Sequence, residues 1–435
     1  MVTLHPRNRQ LSPMLGAAFF FVPRATTLRL RRLRLRLACL VTKRQSNYMK
    51  LKKRVVCIVG TRPEAIKMAP VIRAFQDCEW TETIVLSTGQ HRQILTQTLS
   101  DFGVRVDQDL DIMQANQSLG ALTGRLFLQL DAALENLAPD LVLAQGDTTT
   151  VMVASVVCFY RRILFGHVEA GLRTGNLHHP FPEEFNRIVT GRISALHFAP
   201  TQLSKSNLEA EGIDAASIKI TGNTVVDALL SMANRTEPAD FGTSGPLVLV
   251  TVHRRENFGE PLKRICAALR QLHDEFPDLT LVYPVHPNPN VHDVVSGLLG
   301  DLPRMKLIPP VGYREMVGLL KRCTFVITDS GGIQEEAPAL AKPVLVVREV
   351  TERPEAVAAG VVKIVGTETG NIVETATRLL HDADYFGQMS RGDSPYGDGH
   401  ASARIVAAAH AALFDTPGGL SAVADWDLTQ IPKGA

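Results

Sequence analysis

The sequence lacks a C-x-x-C pair, a Walker P-loop and a G-x-G-x-x-G after its first apolar run. ATP and NAD are therefore poorly supported as ligands, and no cofactor is predicted. No histidine stands at zinc-site spacing from the six cysteines, which lie at positions 39, 57, 78, 158, 266 and 323. We expect neither a structural metal nor a disulfide framework, and the cysteine usage fits a cytoplasmic location.

Acidic residues are missing from the first 48 positions, which carry ten of the 46 Lys and Arg residues. The remainder has 36 basic and 44 acidic residues, a net charge of −8, so we expect no nucleic-acid partner. The patch "MLGAAFFFV" is too short to span a bilayer, and no membrane partner is expected. We interpret residues 1–49 as a basic extension that is disordered or not native; a transit peptide or a membrane-surface helix is the alternative.

Short apolar runs alternate with helix-length amphipathic segments from residue 54 onward. Runs without polar alternation indicate strands that are buried on both faces, and their spacing indicates parallel sheets built from βαβ units. The sequence therefore predicts an α/β fold. The runs lie at 54–60, 83–87, 140–146, 162–168, 246–253, 279–286, 324–330 and 343–347.

A change of composition at 234–246, "NRTEPADFGTSGP", indicates a boundary between two domains. This segment is either the linker itself or the first loop of the second domain, and we place the crossing near Gly222. The predicted domains are 50–222 and 223–395, followed by a helix at 396–416 and a flexible tail at 417–435.

The segment "TDSGGIQEEAPAL" at 328–340 combines a candidate phosphate cradle with two acids. Ser330, Gly331 and Gly332 follow an apolar run and open a helix, where free backbone N–H groups favour an anion. Glu335 and Glu336 would repel a phosphate one turn away. Either nothing anionic binds here, or one of the two carboxylates holds a neutral part of the same ligand.

Cationic side chains stand just after several predicted strands or in the helices that follow them. They are Arg62, Lys67, His253, Arg254 and Arg353. Because ligands of parallel α/β sheets bind at the carboxyl ends of the strands, these groups can surround an anionic ligand. Each arginine taken alone is more often a surface or ion-pair residue.

Three carboxylates follow predicted strands or loops of the first half, namely Asp147, Glu169 and Glu183. Carboxylates set near a bound diphosphate suit acid–base catalysis. Glu183 and Glu184 can equally serve only to start a helix after Pro182. We expect surface positions, and no metal site, for the adjacent histidines at 178 and 179.

At these residues the sequence resembles the non-hydrolysing UDP-N-acetylglucosamine 2-epimerase family over about residues 52–410. The motifs that carry the resemblance are "GTRPEAIKMAPVI" (60–72), "QGDTTT" (145–150), "GHVEAGLRTG" (166–175), "PFPEEFNR" (180–187), "ITGNTVVDAL" (220–229), "HRREN" (253–257), "YPVHPNPNV" (283–291), the segment 328–357 and "SPYGDGHAS" (394–402).

The resemblance implies two Rossmann-like domains facing across a cleft, as in GT-B glycosyltransferases, with a final helix that crosses back to the first domain. It implies reversible inversion at C2 of UDP-GlcNAc to give UDP-ManNAc, through loss of UDP and a 2-acetamidoglucal intermediate, without nicotinamide or metal. It also implies a cytoplasmic homodimer that supplies surface polysaccharide.

Site residues are implied position by position. Asp147, Glu169, Glu183 and His253 match the family's catalytic residues. The family's substrate-binding positions are matched by Arg62, Lys67, Ser330, Gly331, Gly332, Glu336 and Arg353. In the family, the position of Glu336 binds the ribose hydroxyls. An activator site for a second UDP-GlcNAc matches Gln90, Gln93 and His286, although Asn116 stands where some members have arginine. Glu335 matches no role.

Four alternatives remain at this stage: a hydrolysing relative that releases UDP and free sugar, an epimerase of a further modified UDP-sugar, a GT-B glycosyltransferase and a silent UDP-sugar sensor. Three carboxylates opposite the cradle disfavour the sensor.

Overall fold

The computed structural model describes residues 52–89, 92–114, 117–392, 394–414 and 419–427. The expected extension at 1–49, Gln90 and Asn116 lie outside the described residues.

The first sheet has seven parallel strands in the order β3-β2-β1-β4-β5-β6-β7. All five residues of the central strand β4 are buried, as the continuous apolar run predicts. The strands are β1 (Lys53–Val59), β2 (Thr81–Ser87), β3 (Gln108–Asp109), β4 (Leu141–Gln145), β5 (Leu164–Val168), β6 (Leu196–Ala199) and β7 (Ile218–Ile220).

Helices connect these strands and cover both faces of the sheet. They are α1 (Arg62–Gln76), α2 (Arg92–Asp101), α3 (Leu119–Leu137), α4 (Thr149–Arg161), α5 (Glu183–Ile193), α6 (Gln202–Ala210) and α7 (Thr224–Ala233). The hydroxyls of Thr61 and Thr148 each accept a backbone N–H at the start of α1 and α4. Since these caps directly follow β1 and β4, they fix the loops at the carboxyl edge of the sheet.

The second sheet repeats this strand order with six parallel strands, β10-β9-β8-β11-β12-β13. Its strands are β8 (Leu247–Thr251), β9 (Thr280–Pro284), β10 (Met305–Ile308), β11 (Phe325–Thr328), β12 (Val344–Val346) and β13 (Val362–Ile364). Its helices are α8 (Glu260–Glu275), α9 (Pro289–Leu299), α10 (Tyr313–Arg322), α11 (Gly331–Glu336), α12 (Pro354–Ala358), α13 (Thr369–His381) and α14 (Ala383–Met389). The last helix is α15 (Ala401–Leu413).

The two sheets confirm the predicted α/β class with two Rossmann-like halves. All eight apolar runs contain strands, and five short strands, β3, β6, β7, β10 and β13, were not predicted. Four of the five are sheet edges, and each strand is only two to four residues long. The edge strands Ile218–Ile220 and Val362–Ile364 each have a lysine at their centre. Strands this short that contain polar residues leave no continuous apolar run in the sequence.

One apolar core connects the halves through α7, which packs against α1 of the first half and against α10 and α11 of the second. Val226 and Leu229 of α7 belong to this core, together with Val55 and Val317. Both sheets and this core belong to one compact unit that begins at Lys53. Their carboxyl edges are therefore held in a fixed relation by apolar packing.

The C-terminal helix α15 packs on α1 and α7. Asp227 of α7 accepts the backbone N–H groups of Ala401 and Ser402 and so caps α15. Beyond it, Asp425 accepts the N–H of Ile220 at 3.0 Å, and Trp426 is buried beside the same strand. These contacts of residues 419–427 differ from the loose tail expected there.

In each sheet the strand order reverses between two central strands, β1 and β4 in the first and β8 and β11 in the second. Ligands bind at such switch points, outside the carboxyl ends of the strands. The loops and helices that start there contain Arg62, Asp147, His253 and Ser330. In the described part of the chain, no helix is both long and apolar enough to cross a membrane.

Candidate active site

The turn between β1 and α1 is braced against the turn after β4. The buried carboxylate of Glu64 accepts the N–H groups of Gly60 and Thr61 at 2.5 and 2.8 Å and the hydroxyl of Thr148 at 2.6 Å. A Cβ at Gly60 would lie 2.6 Å from the Thr88 hydroxyl, so only glycine fits. This bracing fixes the start of α1, the helix that carries Arg62 and Lys67.

A buried cluster of four charged residues joins the halves. Lys67 Nζ lies 2.6 Å from Glu169 Oε2 and 3.2 Å from Glu335 Oε2. Arg353 Nε lies 2.5 Å from Glu335 Oε1. Gln145 Nε2 also donates to Glu169 Oε2, at 3.0 Å. The structure thus brings together Glu169, Lys67 and Arg353 around a residue for which the sequence predicted no role.

Glu169 has unusual electrostatics and an unusual backbone. Burial raises the pKa of its carboxyl, Lys67 opposes this, and the charge of Glu335 adds to it. Its φ of +65° lies in the left-handed region that side chains with a Cβ rarely adopt. Strain of this kind and a raised carboxyl pKa are both common at catalytic positions.

Asp147 is held by an arginine that the sequence analysis did not single out. Arg187 Nη2 lies 2.7 Å from Asp147 Oδ2, and Arg187 Nη1 donates to Glu184 at 3.1 Å. Glu184 is buried and accepts the N–H groups of Thr174 and Gly175, so it braces a loop. Its neighbour Glu183 is half-buried at the first residue of α5.

The corresponding turn in the second half is organised by Asp329, which is fully buried. Its Oδ2 accepts the backbone N–H groups of His253 and Arg254 at 2.9 and 2.8 Å and the Asn257 amide at 3.0 Å. The His253 ring stacks on that of His286, with centroids 5.8 Å apart. Burial lowers the pKa of His253, which disfavours the cationic form that the sequence analysis assumed.

The predicted cradle is open and surrounded by cations. Ser330 is the N-cap of α11, and a Cβ built on Gly331 would lie 3.6 Å from Arg353 Nη2 and 3.7 Å from Arg254 Nη2. A Cβ on Gly332 would meet only the Ser330 hydroxyl, at 3.9 Å. Two guanidinium groups therefore face the space in front of the first N–H groups of the helix, an arrangement that suits a phosphate group.

Glu336 is the last residue of α11 and lies next to Tyr313. Burial raises the pKa of Glu336 to about 7, and Glu335 contributes in the same direction, whereas Tyr313, Lys67 and Arg62 oppose it. Arg62 Nη2 reaches from the first half to the carbonyl of Val311, at 3.4 Å. Glu336 thus lies near Lys67 and Arg62 of the first half and Tyr313 of the second.

A cavity of 580 Å³ opens between the halves. Its lining includes Thr174 and Arg187 from the first half and Arg254, Arg353 and Thr351 from the second. A space of this size is typical of small-molecule sites. The arginine that holds Asp147 and the two that face the cradle therefore border one cavity.

Comparison with known proteins agrees with this geometry. A sequence model of the UDP-N-acetylglucosamine 2-epimerase family matches residues 73–410. The chain is 47% identical to the UDP-N-acetylglucosamine 2-epimerase of Escherichia coli (strain K12) over 367 residues, which cover 82% of this chain and 98% of that protein. The chain belongs to the UDP-N-acetylglucosamine 2-epimerase family. It is accordingly an epimerase, an enzyme of the isomerase class.

Solved structures show the same relationship for the fold. A putative UDP-N-acetylglucosamine 2-epimerase from Listeria monocytogenes superposes with a TM-score of 0.80 at 41% identity. The match covers 86% of this chain and 100% of that one. The Neisseria meningitidis UDP-GlcNAc 2-epimerase bound to UDP-GlcNAc gives a TM-score of 0.75 at 45% identity, covering 81% and 98%. The GT-B-like arrangement predicted for this epimerase family member is confirmed.

The sequence analysis gave no role to three residues of this cleft: Gln145, Arg187 and Glu335. Gln145 and Arg187 fall within the quoted motifs "QGDTTT" and "PFPEEFNR", and position at a strand end was a usable signal for Gln145. Nothing in the sequence indicates the partners of Glu335. Of the expected activator residues, the structure places His286 on the surface beside His253, whereas Gln90 lies outside the described residues.

Proposed function

We propose that the chain interconverts UDP-GlcNAc and UDP-ManNAc by inverting C2 of the sugar. The observation that supports this most directly is the position of Glu169. A buried carboxyl with a raised pKa is linked through Lys67, Glu335 and Arg353 to the cradle at Gly331. A proton-transfer group and an anion site are thus connected by three ion pairs.

The elimination step requires both the proton-transfer group and the anion site. A base removes the proton from C2 while the C1–O bond to UDP breaks, and the electrons form the C1=C2 double bond of a 2-acetamidoglucal. Since the acetamido group acidifies the C2 proton only weakly, departure of UDP must supply much of the driving force. Arg254 and Arg353 stabilise the diphosphate that leaves, which is electrostatic catalysis. Return of UDP with protonation on the opposite face gives the epimer.

The remaining site residues have proposed roles in this scheme. Asp147, Glu169 and Glu183 supply the acid and the base, and His253 can donate a hydrogen bond to the diphosphate. Ser330, Gly331 and Gly332 bind phosphate through the start of α11. Glu336 accepts hydrogen bonds from the ribose diol, with Arg62 contacting the nucleotide from the first half. Closure of the two halves around the substrate would keep water from the glucal.

Incubation with UDP-GlcNAc in D2O, followed by proton NMR, tests the proposal. UDP-ManNAc that carries deuterium at C2 is the expected product. Free sugar with UDP would indicate hydrolysis, and a requirement for an acceptor would indicate a glycosyltransferase. Binding without exchange would indicate a sensor, and turnover only of a further modified UDP-sugar would move the substrate within the same chemistry.

We also propose that the product supplies surface polysaccharide or cell-wall precursors in the cytoplasm. The five cysteines at 57, 78, 158, 266 and 323 are unpaired, which is compatible with a reducing compartment. Cell fractionation with an antibody tests the location, and loss of ManNAc from surface polysaccharide in a deletion strain tests the destination. Unchanged polysaccharide would remove the proposed destination.

A homodimer is a further proposal. Leu128 of α3 and Phe159 and Tyr160 of α4 are 72%, 61% and 68% exposed and form neighbouring apolar groups on the first half. Exposed apolar patches of this kind commonly mark protein interfaces. Light scattering should give twice the chain mass for the native protein, and a monomer mass would contradict the proposal.

Activation by a second UDP-GlcNAc at Gln90, Gln93 and His286 stays a proposal as well. Its support in the structure is the stacking of His286 on His253, which connects a surface position to the turn after β8. Assays in the UDP-ManNAc direction should show a lag that UDP-GlcNAc removes. Hyperbolic progress without a lag would contradict it.

A further inference from the structure

Glu335 is a buried carboxylate of the cleft that pairs with two cations and has no assigned role. Its side chain is 1% exposed and lies in α11, one turn after Gly331. It accepts from Arg353 Nε at 2.5 Å, pairs with Lys67 Nζ at 3.2 Å and accepts from the Asn223 amide at 3.5 Å. These partners come from the second half, from the first half and from the residue that begins α7.

The four-residue cluster of Lys67, Arg353, Glu169 and Glu335 is balanced, with two positive and two negative groups. Lys67 is only 12% exposed and Arg353 13%, so neither is well solvated. Without Glu335, both cations would face Glu169 as the one remaining anion of the cluster. Burial of an uncompensated charge is costly, so the balance depends on Glu335.

We propose that Glu335 is a positioning residue for Glu169: it holds Lys67 between the two halves and shares the charge of that ammonium, which preserves the basicity of Glu169. The inference rests on the proposed function, in which Glu169 takes part in proton transfer at C2. Glu335 itself does not touch the reacting atoms in this scheme. It acts through Lys67, which contacts both carboxylates.

The electrostatics of the surrounding groups agree with this role. Burial alone would raise the pKa of Glu335, but Arg353 and Lys67 outweigh it, so the pKa is lowered and Glu335 stays ionised. Its negative charge in turn raises the pKa of Glu169.

The other charged or titratable groups near the cluster are Glu336 on α11, Glu352 beside Arg353, and Tyr396, whose pKa burial raises. The pKa of Tyr396 lies far above neutrality, so its hydroxyl stays neutral. The second carboxylate that Lys67 contacts is Glu335, so Glu335 is the negative charge that acts on Glu169 through this ammonium.

The pH dependence of C2 exchange, measured at saturating UDP-GlcNAc, tests the proposal. In Glu335→Gln, Glu169 loses a neighbouring negative charge and no longer shares Lys67, so its pKa falls. The limb of the kcat profile that reports Glu169 should move to lower pH by about one unit or more. Glu335→Asp keeps the charge, so its limb should stay within a few tenths of a unit of the wild-type position even where turnover is slower.

Two further variants keep the test decisive. Asp140→Asn removes a carboxylate paired with Lys53 at 2.8 Å at the opposite edge of the first sheet, and should leave the profile unchanged. If Glu335→Gln fails to fold, Glu335→Ala also removes the charge and leaves room for water beside Lys67 and Arg353, and the same shift is expected at saturating substrate.

If the pH profile of Glu335→Gln superimposes on that of the wild type, the inference about Glu335 is overturned. The proposed function would still stand in that case, because the wild type exchanges the C2 proton. Equal shifts in the Gln and Asp variants would overturn the inference too, because they would indicate a packing effect. Absence of exchange in the wild type would overturn both.

Discussion

The two halves of the chain share one strand order but carry opposite chemistry at their switch points. The strand ends of the first half carry Asp147 and Glu169, whereas the second half surrounds Gly331 with Arg254 and Arg353. The fold therefore supplies the same edge twice, and the side chains decide what each edge does. In our proposal the first half transfers protons and the second half holds the diphosphate.

The exceptions to this division are informative because they pair with each other. Lys67 is a cation in the acidic half, Glu335 is an acid in the cationic half, and the two form an ion pair at 3.2 Å. Arg62 and Glu336 repeat the pattern, since Arg62 opposes the rise in the Glu336 pKa. Each half thus contributes two groups of the opposite sign that connect it to its counterpart.

Glu169→Gln would break the comparison on the first side. We expect kcat to fall by roughly 10³-fold, the usual loss for an acid–base group, while the affinity for UDP changes by less than about threefold. Lys67 keeps Glu335 as a partner, so the variant should fold. Deuterium exchange at C2 measures the first quantity and calorimetry with UDP the second.

The matched control for Glu169→Gln is Asp140→Asn, which removes a paired carboxylate outside the site. If Glu169→Gln kept full turnover, Glu169 would leave the catalytic set and the division between the halves would rest on Asp147 and Glu183.

The pH dependence of stability tests Glu336, the carboxyl that the second half places near Arg62 of the first. Its pKa is raised from 4.5 to about 7, so the folded protein holds this proton more tightly than the unfolded chain. The stability that this carboxyl contributes is present below pH 4.5 and is lost as the pH rises through about 7. Between pH 4.5 and pH 8 this carboxyl should lower the free energy of unfolding of the wild type by roughly 3 kcal/mol, and Glu336→Gln should lack this decrease. Urea unfolding at the two pH values measures the difference.

The same residue predicts a proton linkage to ligand binding. Ribose hydroxyls donate to a carboxylate, so UDP binding at pH 7 should release about half a proton from Glu336. Calorimetry in buffers of different ionisation enthalpy measures this number. Identical proton release in wild type and Glu336→Gln would contradict the ribose role.

The sequence predicted the centre of the fold better than its edges. Central strands such as β4 are buried on both faces and form continuous apolar runs, whereas β3, β7, β10 and β13 are edges with polar residues. Their pairing is decided by neighbours distant in sequence, which a local pattern does not contain.

The site shows a similar division. Asp147 and His253 could be predicted because they directly follow strands whose carboxyl ends meet a ligand. Glu335 could not, because its role depends on Lys67 and Asn223, which come from distant segments. The protonation of His253 is a related case, since burial and not residue type alone lowers its pKa.

Gly331→Ala would break the comparison on the second side, with a smaller effect. The new methyl group would make only ordinary contacts with the arginines, at 3.6 and 3.7 Å, so the empty protein should keep its melting temperature. The methyl group would occupy the space where a phosphate approaches the backbone, and we expect UDP affinity to fall about 10-fold, or about 1.4 kcal/mol. Calorimetry with UDP measures this, and thermal unfolding checks the fold.

Gly370→Ala is the matched control, because it lies in the first turn of α13 with nothing within 4 Å of the added Cβ. It should bind UDP as the wild type does. Since Gly331→Ala leaves Glu169 and Asp147 untouched, kcat at saturating substrate should change far less than affinity. If kcat fell in proportion to affinity, the cradle would contribute to the transition state as strongly as to binding, and the separation of tasks between the halves would fail.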